Sequence, residues 1–303
     1  MLDCLVPTVH LVPLTVNAGR KVINHFTASL EHHHNITENL TSTSVSETTT
    51  VKMSKINILL INPNATESMT TNCITILQST LPPDVAVHPF TAPSPAPTAI
   101  ESETDAILSA AAAFRALVPL QQTHDYDAML VACFRYHPLI QMLREEFEIP
   151  VIGIMEVSLF AAKTLGARIG VLATGKRSAL AHWESVRRYG FGDSCVGVRA
   201  AELGVLDLER LPREQVLARM VEVAKQMVEI DRVDVITLGC AGMTDMTVAV
   251  EEAVVPMGVR VVDGVVAGLH HLVGIVRMGG KTAKSGVYMS SREGREARGQ
   301  EYL

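Results

Sequence analysis

From Lys55 onward, short apolar runs rich in β-branched residues alternate with amphipathic stretches. The runs are INILLIN (56–62), VAVHPF (85–90), DAMLVAC (127–133), PVIGIM (150–155), RIGVLAT (168–174), CVGVRA (195–200), DVITLGC (234–240) and VRVVDG (259–264). Each has the length of a strand buried on both faces of a parallel sheet. Between them, PLIQMLREEFE and REQVLARMVEVAKQMVEI carry apolar residues at helical spacing. This alternation predicts an α/β fold with mainly parallel sheets.

The eight runs form two sets of four. The first run of each set leads into a polar turn and a helix: NPNATESMTTNCITILQSTL in one, TGKRSALAHWESVRRYGF in the other. The third run begins with Asp and ends with Cys in both. Asp127 and Asp234 lie 107 residues apart, as do Cys133 and Cys240. The repeat predicts two similar domains, each a four-stranded, mainly parallel sheet flanked by helices. A pseudo-twofold axis would relate them, with the active site in the cleft. The expected division is 53–153 plus a C-terminal return over 258–303 for the first domain, and 154–257 for the second.

Residues 1–52 follow none of this pattern. They are rich in Thr, Ser, Asn and His, bury little, and read as a disordered extension. Met53 opens MSKINILLINPN, which looks like a protein start. A mitochondrial leader is disfavoured by Asp3, Glu31, Glu38 and Glu47 among few cations, and a secretory one by the lack of a cleavage site after the apolar patch at 11–16. The N-x-T sequons at Asn35 and Asn39 mean nothing without secretion, and His32, His33 and His34 read as a polar low-complexity run.

Composition narrows the function classes. Hydrophobic residues are 48% and aromatics 4%, so the core must be aliphatic. A net charge of −6 without a basic stripe argues against a nucleic-acid partner. The lack of an eighteen-residue apolar run argues against a membrane span. The five cysteines include no CxxC pair, so neither a zinc ribbon nor a redox pair is indicated. A reduced, cytoplasmic, homo-oligomeric protein with a small-molecule substrate, no metal and no cofactor is expected.

Ligands of open parallel sheets bind beyond the carboxyl ends of the strands, where Cys133 and Cys240 stand. Cys240 precedes Ala241, Gly242 and Met243 and a helix that Thr244 or Asp245 could cap. Cys133 precedes Phe134, Arg135, Tyr136 and His137, with Pro138 suited to a first helical position. Nearby helix N-termini would favour thiolate and bind anionic oxygens. Cys73, in a helical stretch, and Cys195, opening a strand, read as core. Two thiols facing each other across a cleft suit inversion of a carbon beside a carbonyl. One thiolate removes the proton, the other thiol returns one to the opposite face, and oriented N–H groups stabilise the enolate. A pair tuned about neutrality would supply both states.

INPNATESMT (61–70), PTAIES (97–102), VACF (131–134), TLGCAGM (237–243) and GGKTAKSGVY (279–288) resemble the hydantoin racemase branch of the aspartate/glutamate racemase superfamily. The likeness covers about residues 55–290. It implies two α/β domains, a cleft site, no cofactor, and Cys133 and Cys240 as the acid/base pair. It further implies that Asn62, Pro63 and Asn64 face the substrate and that Ile100 lines the pocket. Arg135-Tyr136-His137 departs from the small acidic and glycine residues of the bacterial members, so allantoin is a candidate beside 5-substituted hydantoins, with a place in nitrogen metabolism.

Phe134, His137, Thr174, Gly175, Gly239, Ala241 and Gly242 complete the expected substrate-binding set. His137 could equally start a helix, Asn62 and Asn64 could act only as Asx caps, and Glu156 could shape the cleft or cap a helix. TGK lacks the remainder of a phosphate loop. His270 and His271 read as ordinary helix residues. A maleate-type isomerase, a non-catalytic small-molecule sensor, and a Cys–His hydrolase using His137 are the competing readings.

Overall fold

The computed structural model describes residues 55–300. The expected disorder, the sequons and the histidine run of the extension therefore lie outside the described residues. The first half runs β1 (Ile56–Asn62), α1 (Glu67–Gln78), β2 (Val85–Thr91), α2 (Glu103–Thr123), β3 (Ala128–Val131), α3 (Pro138–Glu146) and β4 (Val151–Gly153). Helix α4 (Ile154–Leu165) leads into β5 (Ile169–Ala173), α5 (Lys176–Arg188), β6 (Cys195–Ala200), α6 (Asp207–Arg210) and α7 (Arg213–Glu229). Then come β7 (Val235–Leu238), a 3-10 turn (Ala241–Met246), α8 (Thr247–Val254), β8 (Arg260–Val262), α9 (Gly264–Arg277) and α10 (Arg292–Ala297).

The strands form two four-stranded sheets with the same order, β2-β1-β3-β4 and β6-β5-β7-β8. Every pairing is parallel. Of the central strands, β3, β5 and β7 are buried along their whole length and β1 everywhere but at Asn57, as their apolar runs require. The repeated Asp residues have one job at the amino ends of the sheets. Asp127 accepts the Asn57 backbone N–H at 2.7 Å. Asp234 accepts those of Ala167 at 3.0 Å and Arg168 at 2.8 Å. Each carboxylate thus takes the backbone donors at the start of the neighbouring central strand, which otherwise lack a partner.

Two helices cross over. Helix α4 leaves β4 yet packs on β7 and β8, while α9 leaves β8 and packs on β1, β3 and β4; the two helices also pack on each other. This needs close approach: a Cβ on Gly264 would lie 2.5 Å from Ser158 Oγ and 2.6 Å from the Ile154 carbonyl. Strand β8 pairs with β7, so the second sheet extends to Val262, beyond the boundary drawn at 257, and the return to the first sheet starts with α9. One aliphatic core holds Leu60 and Leu130 of the first sheet together with Val171 and Val235 of the second, and the described residues belong to one compact unit. No helix among the described residues is long and apolar enough to cross a membrane.

Candidate active site

The carboxyl ends of both sheets open on one narrow cleft of about 590 Å³, counting its mouth. Cys133 follows β3 and Cys240 follows β7, and both line it. So do Asn64, Ile100, Phe134, Thr174, Gly239 and Ala241 from the expected set. Met69, Glu101, Arg135, Ser178, His182 and Val205 are among the other lining residues.

Asn64 and Asn62 divide the labour of the first loop. Asn62 is buried, and its Nδ2 donates to Asn64 Oδ1, the Thr66 carbonyl and Thr70 Oγ1 at 3.0, 3.0 and 3.1 Å. Asn64 Oδ1 also accepts the Thr66 backbone N–H at 2.8 Å, an Asx turn leading into α1. Asn62 thus braces the loop, and Pro63 likewise stands outside the lining. Thr174 donates to Ser178 Oγ at 3.1 Å. Gly175 caps α5 from behind the wall. A Cβ on Gly239 would meet the Leu172 carbonyl at 2.6 Å, so only glycine fits there without a shift. Gly242 is likewise off the lining, but its backbone hydrogen bond supports the Cys240 thiolate.

His137 is not a cleft residue. It is fully buried at the start of α3, where Nδ1 accepts the Leu139 N–H at 3.3 Å and Nε2 pairs with Ser109 Oγ at 3.0 Å. Burial and the Arg135 charge push its pKa down to about 3, so it is a neutral cap. Glu156 pairs with Arg144 at 2.8 Å, away from the thiols. Neither Thr244 nor Asp245 caps a helix by its side chain: α8 starts after Met246, and Asp245 is bound to Arg213. Cys73 and Cys195 are buried. Among the described residues no group of three or more His, Cys, Asp or Glu is placed to hold a metal.

The thiols are not tuned about neutrality. Each is partly exposed at the cleft but densely surrounded by protein. Burial pushes Cys133 up to about 12, against a lowering by Arg135. Burial pushes Cys240 up to about 11, against the hydrogen bond from Gly242. Desolvation of a thiolate outweighs the nearby N–H groups. Cys240 opens only a six-residue 3-10 turn, and α3 begins five residues beyond Cys133, too far for its terminal dipole to offset burial.

Sequence reasoning missed His182. It lies seven residues beyond Gly175, two helical turns, and α5 turns its Ser178, Ala181 and His182 face to the cleft. Projecting that helix from the second-half loop would have found it.

Residues 58–272 match the family described as Asp/Glu/Hydantoin racemase. The chain belongs to that family. A hydantoin racemase of Rhizobium meliloti is 34% identical over 244 residues, covering 78% of this chain and 95% of its own. An uncharacterised protein of Schizosaccharomyces pombe is 38% identical over 238 residues, 78% of this chain and 98% of its own. The structure of allantoin racemase from Klebsiella pneumoniae superposes with a TM-score of 0.72 at 25% identity, covering 78% of this chain and 94% of that one. This racemase-family member is thus an isomerase built on the expected pair of parallel sheets.

Proposed function

We propose that the chain is a cofactor-independent racemase of hydantoin-type cyclic ureides, 5-substituted hydantoins or allantoin, with Cys133 and Cys240 as its acid/base pair. The observation that carries this reading is the convergence of two thiols, from equivalent strand ends of two sheets, on one cleft. The relatives named hydantoin racemase and allantoin racemase agree with it.

The reaction begins with a thiolate on one face of the ring. It takes the proton from the carbon beside the carbonyl, and the electron pair moves onto the carbonyl oxygen as an enolate. The opposite thiol then gives its proton to the other face. Roles reverse for the other enantiomer. Once one thiol has ionised, charge repulsion within the pair keeps the other protonated, which is the state the reaction requires.

Cys133→Ser and Cys240→Ser variants test this directly. Each is expected to lose interconversion by about 10²–10⁴-fold while keeping the parent melting temperature. In D2O the parent should place one deuterium on the inverted carbon per turnover. A single variant that still racemises at the parent rate would end the two-thiol mechanism.

A further inference from the structure

Two side-chain atoms of the cleft-lining residues are buried without a hydrogen-bond partner: Arg135 Nε and His182 Nδ1. The only other such atom among the described residues, Gln121 Oε1, belongs to a residue outside the cleft. Buried polar groups are nearly always paired, so two orphans on residues lining one cleft point to a ligand that completes them.

The two atoms complement each other. The Arg135 guanidinium is anchored at its far end, with Nη1 donating to the Ser102 carbonyl at 2.9 Å and Nη2 bound to Glu103 at 2.7 Å. Of the three N–H groups these bonds leave, Nε–H is the one on a buried nitrogen that has no partner. The His182 ring is wedged edge-on against Phe134, ring centres 5.3 Å apart, and a Cβ on Gly239 would touch its Cε1 at 3.2 Å. Burial pushes its pKa down to about 4, and it hydrogen-bonds to the Phe134 main chain. A neutral ring has a single N–H, and a carbonyl only accepts, so the other ring nitrogen is left as an acceptor. Arg135 comes from the loop after β3 and His182 from the helix after β5. Each sheet therefore supplies one thiol and one half of a donor–acceptor pair.

We propose that Arg135 and His182 grip the amide edge of the ring next to the inverted carbon. Arg135 Nε–H donates to the carbonyl oxygen, and the neutral His182 ring accepts the adjoining ring N–H. This rests on the racemase reading and narrows its substrate class to cyclic ureides whose nitrogen beside that carbonyl carries hydrogen. A carboxylate in the same place offers no donor to His182, which selects against open-chain amino acids. When the proton leaves carbon for sulfur, the electron pair settles on the oxygen facing the guanidinium, where a charge-assisted hydrogen bond strengthens. Neither side chain gains or loses a proton.

The test compares a 5-benzylhydantoin with its N3-methyl derivative, N3 being the nitrogen between the two carbonyls, on the parent and on His182→Phe. For the parent, N3-methylation is expected to lower kcat/KM at least about 100-fold, because the acceptor of His182 loses its donor. His182→Phe should lower kcat/KM for the unmodified ring by about 10–100-fold and add nothing to the loss from methylation. It should also leave the pH dependence of kcat/KM unchanged, which a titrating His182 would not. Additive losses, or a parent that turns over both substrates within threefold, would overturn the proposal while leaving the racemase standing. The second result needs no variant, so a poorly folded His182→Phe does not block the decision. A parent that racemises neither these hydantoins nor allantoin would overturn both readings.

Discussion

In the proposed two-thiol reaction, the burial of both thiols sets the pH dependence. The perturbation is to raise pH from 6 to 8 and follow kcat/KM, which reports the ionisation of the free enzyme. With the lower of the two thiols near 11, the thiolate population at pH 7 is about one in ten thousand and grows tenfold per pH unit. Ionising the first thiol then holds the second, near 12 and repelled by the first charge, in its protonated form over this range. The acid partner is therefore never limiting below pH 9, and kcat/KM should climb about 100-fold between pH 6 and pH 8 with unit slope. The assay is loss of optical rotation from one enantiomer of a 5-substituted hydantoin at concentrations well below KM, with the enzyme-free rate subtracted at each pH. Alkylation by iodoacetamide gives an independent reading, since the thiolate is the reactive form: it should be much slower than for a free thiol at pH 7 and rise over the same range. A flat profile from pH 6 to 8, or a bell centred near neutrality, would refute the argument. It would mean that the cleft donors outweigh desolvation and hold a thiolate before substrate arrives.

Two further predictions concern residues around the thiols. His137 is buried neutral, with a folded pKa below its unfolded value; its stabilisation is present above about pH 6.5 and is lost as pH falls towards 3. His137→Asn, which keeps a capping oxygen, should cost about 1 kcal/mol at pH 7 yet lose less stability than the parent between pH 7 and pH 5, measured by urea unfolding. Gly239→Ala should cost about 1–3 kcal/mol and most of the activity, because its methyl would drive the wall beside Cys240 off the Leu172 carbonyl; an alanine variant with parent Tm and parent rate would show that the approach is not tight.

The repeat was legible because each half needs the same things at the same places. Asp127 and Asp234 must meet unpaired N–H groups at the start of a central strand, and Cys133 and Cys240 must stand where that strand ends. Local chemistry and strand length fix both, so spacing alone reveals them. The crossing of α4 and α9 was not legible to the residue, because Asp263 marks where α9 starts but not which sheet β8 joins, and only the pairing of β8 with β7 assigns it to the second sheet.

The site separates along the same line. Sequence by itself determined the parallel α/β repeat and the placing of Cys133, Cys240 and the Asn62–Asn64 loop at strand ends, since these follow from periodicity. Tertiary structure decided that Asn64 faces the cleft while Asn62 and His137 turn inward, that His182 joins the wall, and that both thiols resist ionisation. Those outcomes depend on which side of a helix or loop is packed and on how much protein surrounds a charge. Both quantities are sums over neighbours distant in the chain, so no local pattern of residues contains them.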